Sequence, residues 1–149
     1  MDDYVTGFLR ASLIWLVIGT SIGATMAVHP AWAVYRTAHL HALLLGFVMM
    51  MIAGVAYHVI PRFTMAALHS PRLARIHLVI ANLGLVLMVC GFGARMHGVG
   101  IAPGRLATGG VLALCGAWAL AWNLWRTIDR RVPMPKRTPG GRPVPTMSR

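Results

Sequence analysis

Acidic side chains are almost missing from this chain, with 3 Asp and Glu in 149 residues against 14 Lys and Arg. That scarcity excludes paired carboxylates for general acid–base work and a carboxylate cage for a hard cation. Cysteine is scarcer still: Cys90 and Cys115 each sit inside an apolar run, with no C-X-X-C, C-X-X-C-H or metal-type spacing. Neither a disulfide nor covalently attached haem is expected, and both read as small buried residues. No nucleophile with a paired base and no phosphate loop occurs, so hydrolytic chemistry has no support. Charged residues make up only 11% of the chain, where a soluble domain carries about a quarter.

What the chain has instead is hydrocarbon. It is 57% hydrophobic and its mean hydropathy is +0.66, the composition of an integral membrane protein. Four apolar spans, at about 12–28, 38–60, 76–96 and 106–125, predict an all-α bundle of four transmembrane helices, each long enough for a bilayer core of roughly 30 Å. Residues 1–128 form the transmembrane domain, and no internal repeat is visible. Residues 129–149 are basic and proline-rich with nothing to bury, and read as a disordered tail.

The net charge of +11 is spread over loops and the tail between hydrophobic spans, so it fits a lipid bilayer as partner and not a nucleic acid. With the N-terminus inside, Arg10, Arg62, Arg72, Arg75 and the basic residues from Arg126 onward fall on the cytoplasmic side, and only Arg36, Arg95 and Arg105 fall outside. The positive-inside rule therefore places both termini in the cytoplasm. The first span carries Gly19 and Gly23 in a GXXXG spacing that allows close helix approach. Trp118, Trp122 and Trp125 in the fourth include interface anchors.

The stretch from Ala38 to Arg62 holds the chemistry. Its strongly polar side chains before the closing Pro61-Arg62 are His39, His41 and His58. Ionisable residues in a membrane helix are costly, face a bundle interior and have partners. At about 100° per residue, His39 and His41 diverge by about 200°, so the pair alone does not make a mononuclear site on an unbroken helix. His39 shares a face with Leu43, Gly46, Met50, Ala53 and Tyr57, where small residues leave room for a flat cofactor or for a neighbouring helix. His58 lies about 28 Å along the axis from His39, so one haem cannot take both. His58 and His77 lie near the inner ends of adjacent helices and are candidates to meet. His97 or His29 are candidates to meet His39 or His41 at the outer level. His29, His69 and His97 also suit wet headgroup positions. Of Met49, Met50 and Met51, at most one is expected to join a soft-metal site, the commoner role being packing. Tyr57 beside His58 reads as an interface tyrosine or a proton relay.

Tyr35-Arg36-Thr37-Ala38-His39, followed by an apolar helix ending Gly54-Val55-Ala56-Tyr57-His58-Val59-Ile60-Pro61, resembles the second transmembrane helix of haem-copper oxidase subunit I. Thr-Ala-His is similar to cytochrome c oxidases; the Gly-X-Ala-Tyr-X-X-Ile-Pro end and Arg-X-X-His are similar to nitric oxide reductases. The resemblance implies a bacterial inner-membrane protein in which His39, with His41 as the alternative, is an axial ligand of a b-type haem and Arg36 pairs with a propionate. His58 and His77 are implied as a second haem or metal site, one or two haems in all, with copper as the alternative metal. Asn82 corresponds loosely to a His-X-X-X-Asn element. The full subunit has about twelve helices, and those beyond four supply the second low-spin ligand, the high-spin haem ligand and the copper histidines. The expected role is therefore electron transfer or gas sensing, without catalysis by the isolated chain, as a homodimer or with respiratory-complex subunits. The rival expectation is a copper-handling or assembly factor, or a structural subunit.

Overall fold

The computed structural model describes residues 2–130. The predicted tail lies outside them, apart from Asp129 and Arg130, which form a turn. The chain is all-helical over the described residues, and four of its helical segments are long and apolar enough to cross a membrane: Asp3–Val28, Pro30–Thr64, Pro71–Met96 and Ala102–Ile128. We denote Asp3–Val28 α1, Arg36–His41 α2, Met50–Thr64 α3, Pro71–Met96 α4 and Ala102–Ile128 α5. A 3-10 turn over Pro30–Tyr35 leads into α2, and a π-helical stretch, Ala42–Met49, joins α2 to α3.

The ends of these helices follow from local chemistry. Ser70 caps α4, its hydroxyl accepting from the Leu73 N–H at 3.2 Å, with Pro71 at the first helical position, where a missing N–H costs nothing. That cap starts the third span before Ile76, the residue at which hydropathy alone begins it. Pro61 does not end the second span. The helix runs on to Thr64 and closes at Met65 in the left-handed conformation, φ 53°. Proline forfeits one hydrogen bond, and this close to a helix end the loss is local.

Two layers of contact hold the bundle. At the end carrying the N-terminus, Tyr4, Val5 and Phe8 of α1 pack with Met50, Ala53 and Tyr57, and with Leu68 and Ala74. Nearer the other end Trp15, Ala42 and Leu85 form a smaller cluster. Trp15 lies directly over Gly46, where a Cβ would stand 2.5 Å from its Cγ. Its indole N–H donates to Asn82 Oδ1 at 3.0 Å. Asn82 Nδ2 in turn donates to the Leu78 carbonyl at 2.8 Å and to Met50 Sδ at 3.7 Å.

α4 and α5 approach closest at glycine: a Cβ on Gly109 would fall 2.7 Å from the Gly84 carbonyl oxygen. Small residues permit this backbone contact where no hydrophobic drive exists between helices in lipid. For the same reason Cys90 and Cys115 are exposed on the apolar outer wall, correcting the expectation that both are buried. The exposed Trp118, Trp122 and Trp125 stand on that wall too.

Candidate functional site

The histidines separate into two groups at opposite ends of the bundle, as their positions in the spans require. His39 turns toward α1. Its Nδ1 lies 2.8 Å from the Gly19 carbonyl oxygen, and its ring fills the place of the missing side chain at Gly23, where a Cβ would be 2.7 Å from Cε1. The GXXXG pair thus seats His39 as well as admitting a helix. A carbonyl accepts only from N–H, so the proton is on Nδ1 and the lone pair is on Nε2.

His41 turns toward α4, its ring 4.8 Å from that of Phe92. Its Nδ1 lies 2.9 Å from the Thr37 carbonyl oxygen, so its Nε2 also carries the lone pair. The two imidazoles therefore address different helices, and each is poised in the tautomer that a ligating histidine uses when a carbonyl orients it. Neither Nε2 has a hydrogen-bond partner among the described residues. Arg36, one turn earlier, is exposed.

The other histidines at this end do not join this pair. His97 Nε2 lies 2.7 Å from the Tyr35 hydroxyl, and His29 stacks loosely on Trp32 with ring centroids 6.2 Å apart. A cleft of about 330 Å³ at this end is lined by Ile22, Thr25, Trp32, Tyr35 and Val89, among others. Neither His39 nor His41 lines it. These residues fit one axial position of a haem iron; they do not enclose the macrocycle.

Toward the end that carries the N-terminus, His58 and His77 do not meet. The Arg62 guanidinium donates to the His58 carbonyl at 2.6 Å and to Nδ1 at 2.8 Å, tying His58 to its own helix. His77 is paired with Tyr57, whose hydroxyl is 3.1 Å from Nδ1, under the ring of Phe8 at 4.8 Å. Tyr57 is 1% exposed, so it is a core residue and not an interface anchor. The signal for this was present: Gly46, Met50, Ala53 and Tyr57, one face at helical spacing, are all buried.

Met49 and Met50 both line one cavity with His77, in a packing role. The π-helical stretch ending at Met49 explains this. Its i→i+5 winding turns less per residue than an α-helix, bringing neighbours closer in angle. Among the described residues no three His, Cys, Asp or Glu side chains cluster to hold a metal ion.

Comparison with known proteins agrees with the resemblance carried by the Thr-Ala-His and Tyr-His motifs. The family described as cytochrome c and quinol oxidase polypeptide I matches residues 3–147. The cbb3-type cytochrome c oxidase subunit CcoN1 of Stutzerimonas stutzeri is 27% identical, over 89% of this chain and 34% of its own length. The chain thus spans about a third of that relative.

Proposed function

This chain belongs to the cytochrome c and quinol oxidase polypeptide I family, and we propose that it binds b-type haem through His39, or alternatively His41, to carry electrons or sense a diatomic gas in a respiratory membrane. The observation that carries the reading is the state of the two imidazoles. Each has Nδ1 against a backbone carbonyl, at 2.8 Å for His39 and 2.9 Å for His41, which leaves Nε2 free to ligate iron. His39 is the better held of the two, because its carbonyl partner is on another helix and its ring rests on Gly23.

A bound haem would supply the redox centre or the gas ligand. The chain's own part is to present one imidazole in a fixed tautomer and, through Arg36 one turn away, a cation for a propionate. Any further ligand to the haem would come from a second copy or from a respiratory-complex subunit. The protein sits in the bacterial inner membrane with both termini cytoplasmic, a placement supported by the distribution of arginines. Copper handling has less support, for want of a donor cluster among the described residues.

The test is an optical spectrum of protein purified after expression with haem available, oxidised and dithionite-reduced, with metal analysis alongside. Sharp reduced α and β bands lost in His39→Ala and kept in His41→Ala are expected; the reverse pattern assigns His41. A broad high-spin spectrum that shifts with carbon monoxide selects gas binding. A colourless preparation holding stoichiometric copper overturns the haem reading.

A further inference from the structure

His77 presents a polar group that the haem reading does not use. The side chain is 5% exposed, and the Tyr57 hydroxyl against its Nδ1 is on a residue 1% exposed. A buried hydroxyl hydrogen needs an acceptor. Among the described residues the Tyr57 hydroxyl has two side-chain partners, the Asn123 amide, which donates to its oxygen, and His77 Nδ1 at 3.1 Å, which is left to take its hydrogen. Tyr57 therefore donates, and the proton of the neutral imidazole resides on Nε2.

That Nε2–H has no acceptor among the described residues. His77 lines a cavity of about 70 Å³ with Leu45, Met50, Ala81, Leu85 and Leu120, and with Met49 and two alanines of α5. Gly116 stands against the ring: a Cβ there would lie 3.2 Å from His77 Cδ2 and 3.6 Å from Nε2. Met49, 40% exposed, and Ala117, also exposed, bring the cavity wall to the apolar exterior of the bundle.

What can occupy such a space follows from its chemistry. Water needs two to four polar partners, and His77 offers one. An ion would lie among neutral walls at membrane depth, at a cost of several kcal/mol. A metal would need a lone pair on Nε2, where Tyr57 has placed a hydrogen. An empty cavity leaves the Nε2–H without an acceptor and forfeits a hydrogen bond. The volume of 70 Å³ is about half that of a dry cavity that takes benzene, roughly 150 Å³. The occupant is therefore smaller than an aromatic ring.

We propose that this cavity binds a small, uncharged, lipid-soluble molecule with an apolar body and one hydrogen-bond acceptor atom, which receives the His77 Nε2–H. Tyr57 is the positioning residue that keeps the hydrogen there. The site is independent of haem at His39 or His41.

Acetonitrile has the required form, a methyl group at one end and an acceptor nitrogen at the other, and its C≡N stretch rises on accepting a hydrogen bond. Infrared titration of the full chain in lipid nanodiscs, against empty nanodiscs of the same lipid, is expected to reveal a saturable higher-frequency band. The band disappears in His77→Phe and in Gly116→Leu, persists in His39→Ala, and weakens in Tyr57→Phe. Xenon, which fills space and accepts no hydrogen bond, still binds His77→Phe, as read by xenon NMR, so loss of the band is separated from loss of the cavity. Absence of a saturable band in the wild type, or its survival in His77→Phe, overturns the proposal. So does a nitrogen-15 histidine spectrum of the wild type that places the His77 proton on Nδ1, a result that needs no variant to fold.

Discussion

Asn123 of α5 and Ser70 at the start of α4 exchange two hydrogen bonds: the Ser70 N–H donates to Asn123 Oδ1 at 2.9 Å, and Asn123 Nδ2 donates to the Ser70 carbonyl at 2.8 Å. One fully buried side chain thus satisfies the backbone that enters α4. Thr127, a turn further along α5, accepts the neighbouring His69 N–H at 3.0 Å. Asn123→Leu strands the Ser70 N–H, while the Ser70 carbonyl keeps the Ala74 N–H at 3.2 Å, and is expected to destabilise by about 1–3 kcal/mol. Thr127→Val, which likewise strands one donor, the His69 N–H, is expected to cost about as much, roughly 1–3 kcal/mol. Reversible unfolding of purified protein in mixed micelles measures both, and a neutral Asn123→Leu would show that water replaces the amide.

The contact of Gly84 with Gly109 makes a sharper prediction. A methyl on Gly109 meets the Gly84 carbonyl oxygen at 2.7 Å and the Met88 backbone nitrogen at 2.9 Å, so Gly109→Ala forces the helices apart, at about 1–3 kcal/mol. The adjacent Gly110 has nothing within 4 Å of its added Cβ. Gly110→Ala is expected to be neutral or slightly stabilising, since alanine is the better helix former. Equal effects from the two substitutions would refute the close approach.

His69 lies between α3 and α4, outside the spans, with its Nδ1 buried and without a partner among the described residues. Burial lowers its pKa from the ordinary 6.5, and Arg130 and Arg126 lower it further. Between the lowered native value and 6.5 the unfolded chain binds more protons than the native one, so stability falls as the pH drops through that window. In His69→Leu this contribution is gone, and the variant gains on the wild type as the solution is acidified. Unfolding midpoints of both proteins across that range check the sign.

Trp15→Phe removes the indole N–H from Asn82 and preserves most of the ring over Gly46. Hydrogen bonds between membrane helices contribute about 0.6 kcal/mol on average and about 1.7 kcal/mol at most, and the loss is expected within those bounds. Trp15→Ala, which also vacates the space over Gly46, costs more. The same micelle unfolding assay separates the two.

Much of the architecture is legible in the sequence because lipid demands it. Unbroken apolar runs define four spans, and His39 and His41 diverge as 100° per residue requires, one meeting α1 and the other α4. Other features depend on groups distant in sequence. Nothing in Tyr57-His58 indicates that the tyrosine bonds His77, a residue 20 positions away, while His58 bonds Arg62 within its own helix. The π-helical winding of Ala42–Met49 leaves no compositional trace, so the joint approach of Met49 and Met50 to one cavity was invisible. Cysteine was misplaced because a rule learned from water, that small apolar residues go inward, loses its force where the exterior is hydrocarbon.

α4 links the two levels mechanically. It touches His41 through Phe92 and carries His77 fifteen residues earlier, about 22 Å down the same rod. An α-helix braced against α5 at Gly84 and Gly109 transmits tilt or rotation along its length without absorbing it. The seat of the His41 ring and one wall of the cavity beside His77 are thus parts of a single rigid element, held at a fixed separation along it.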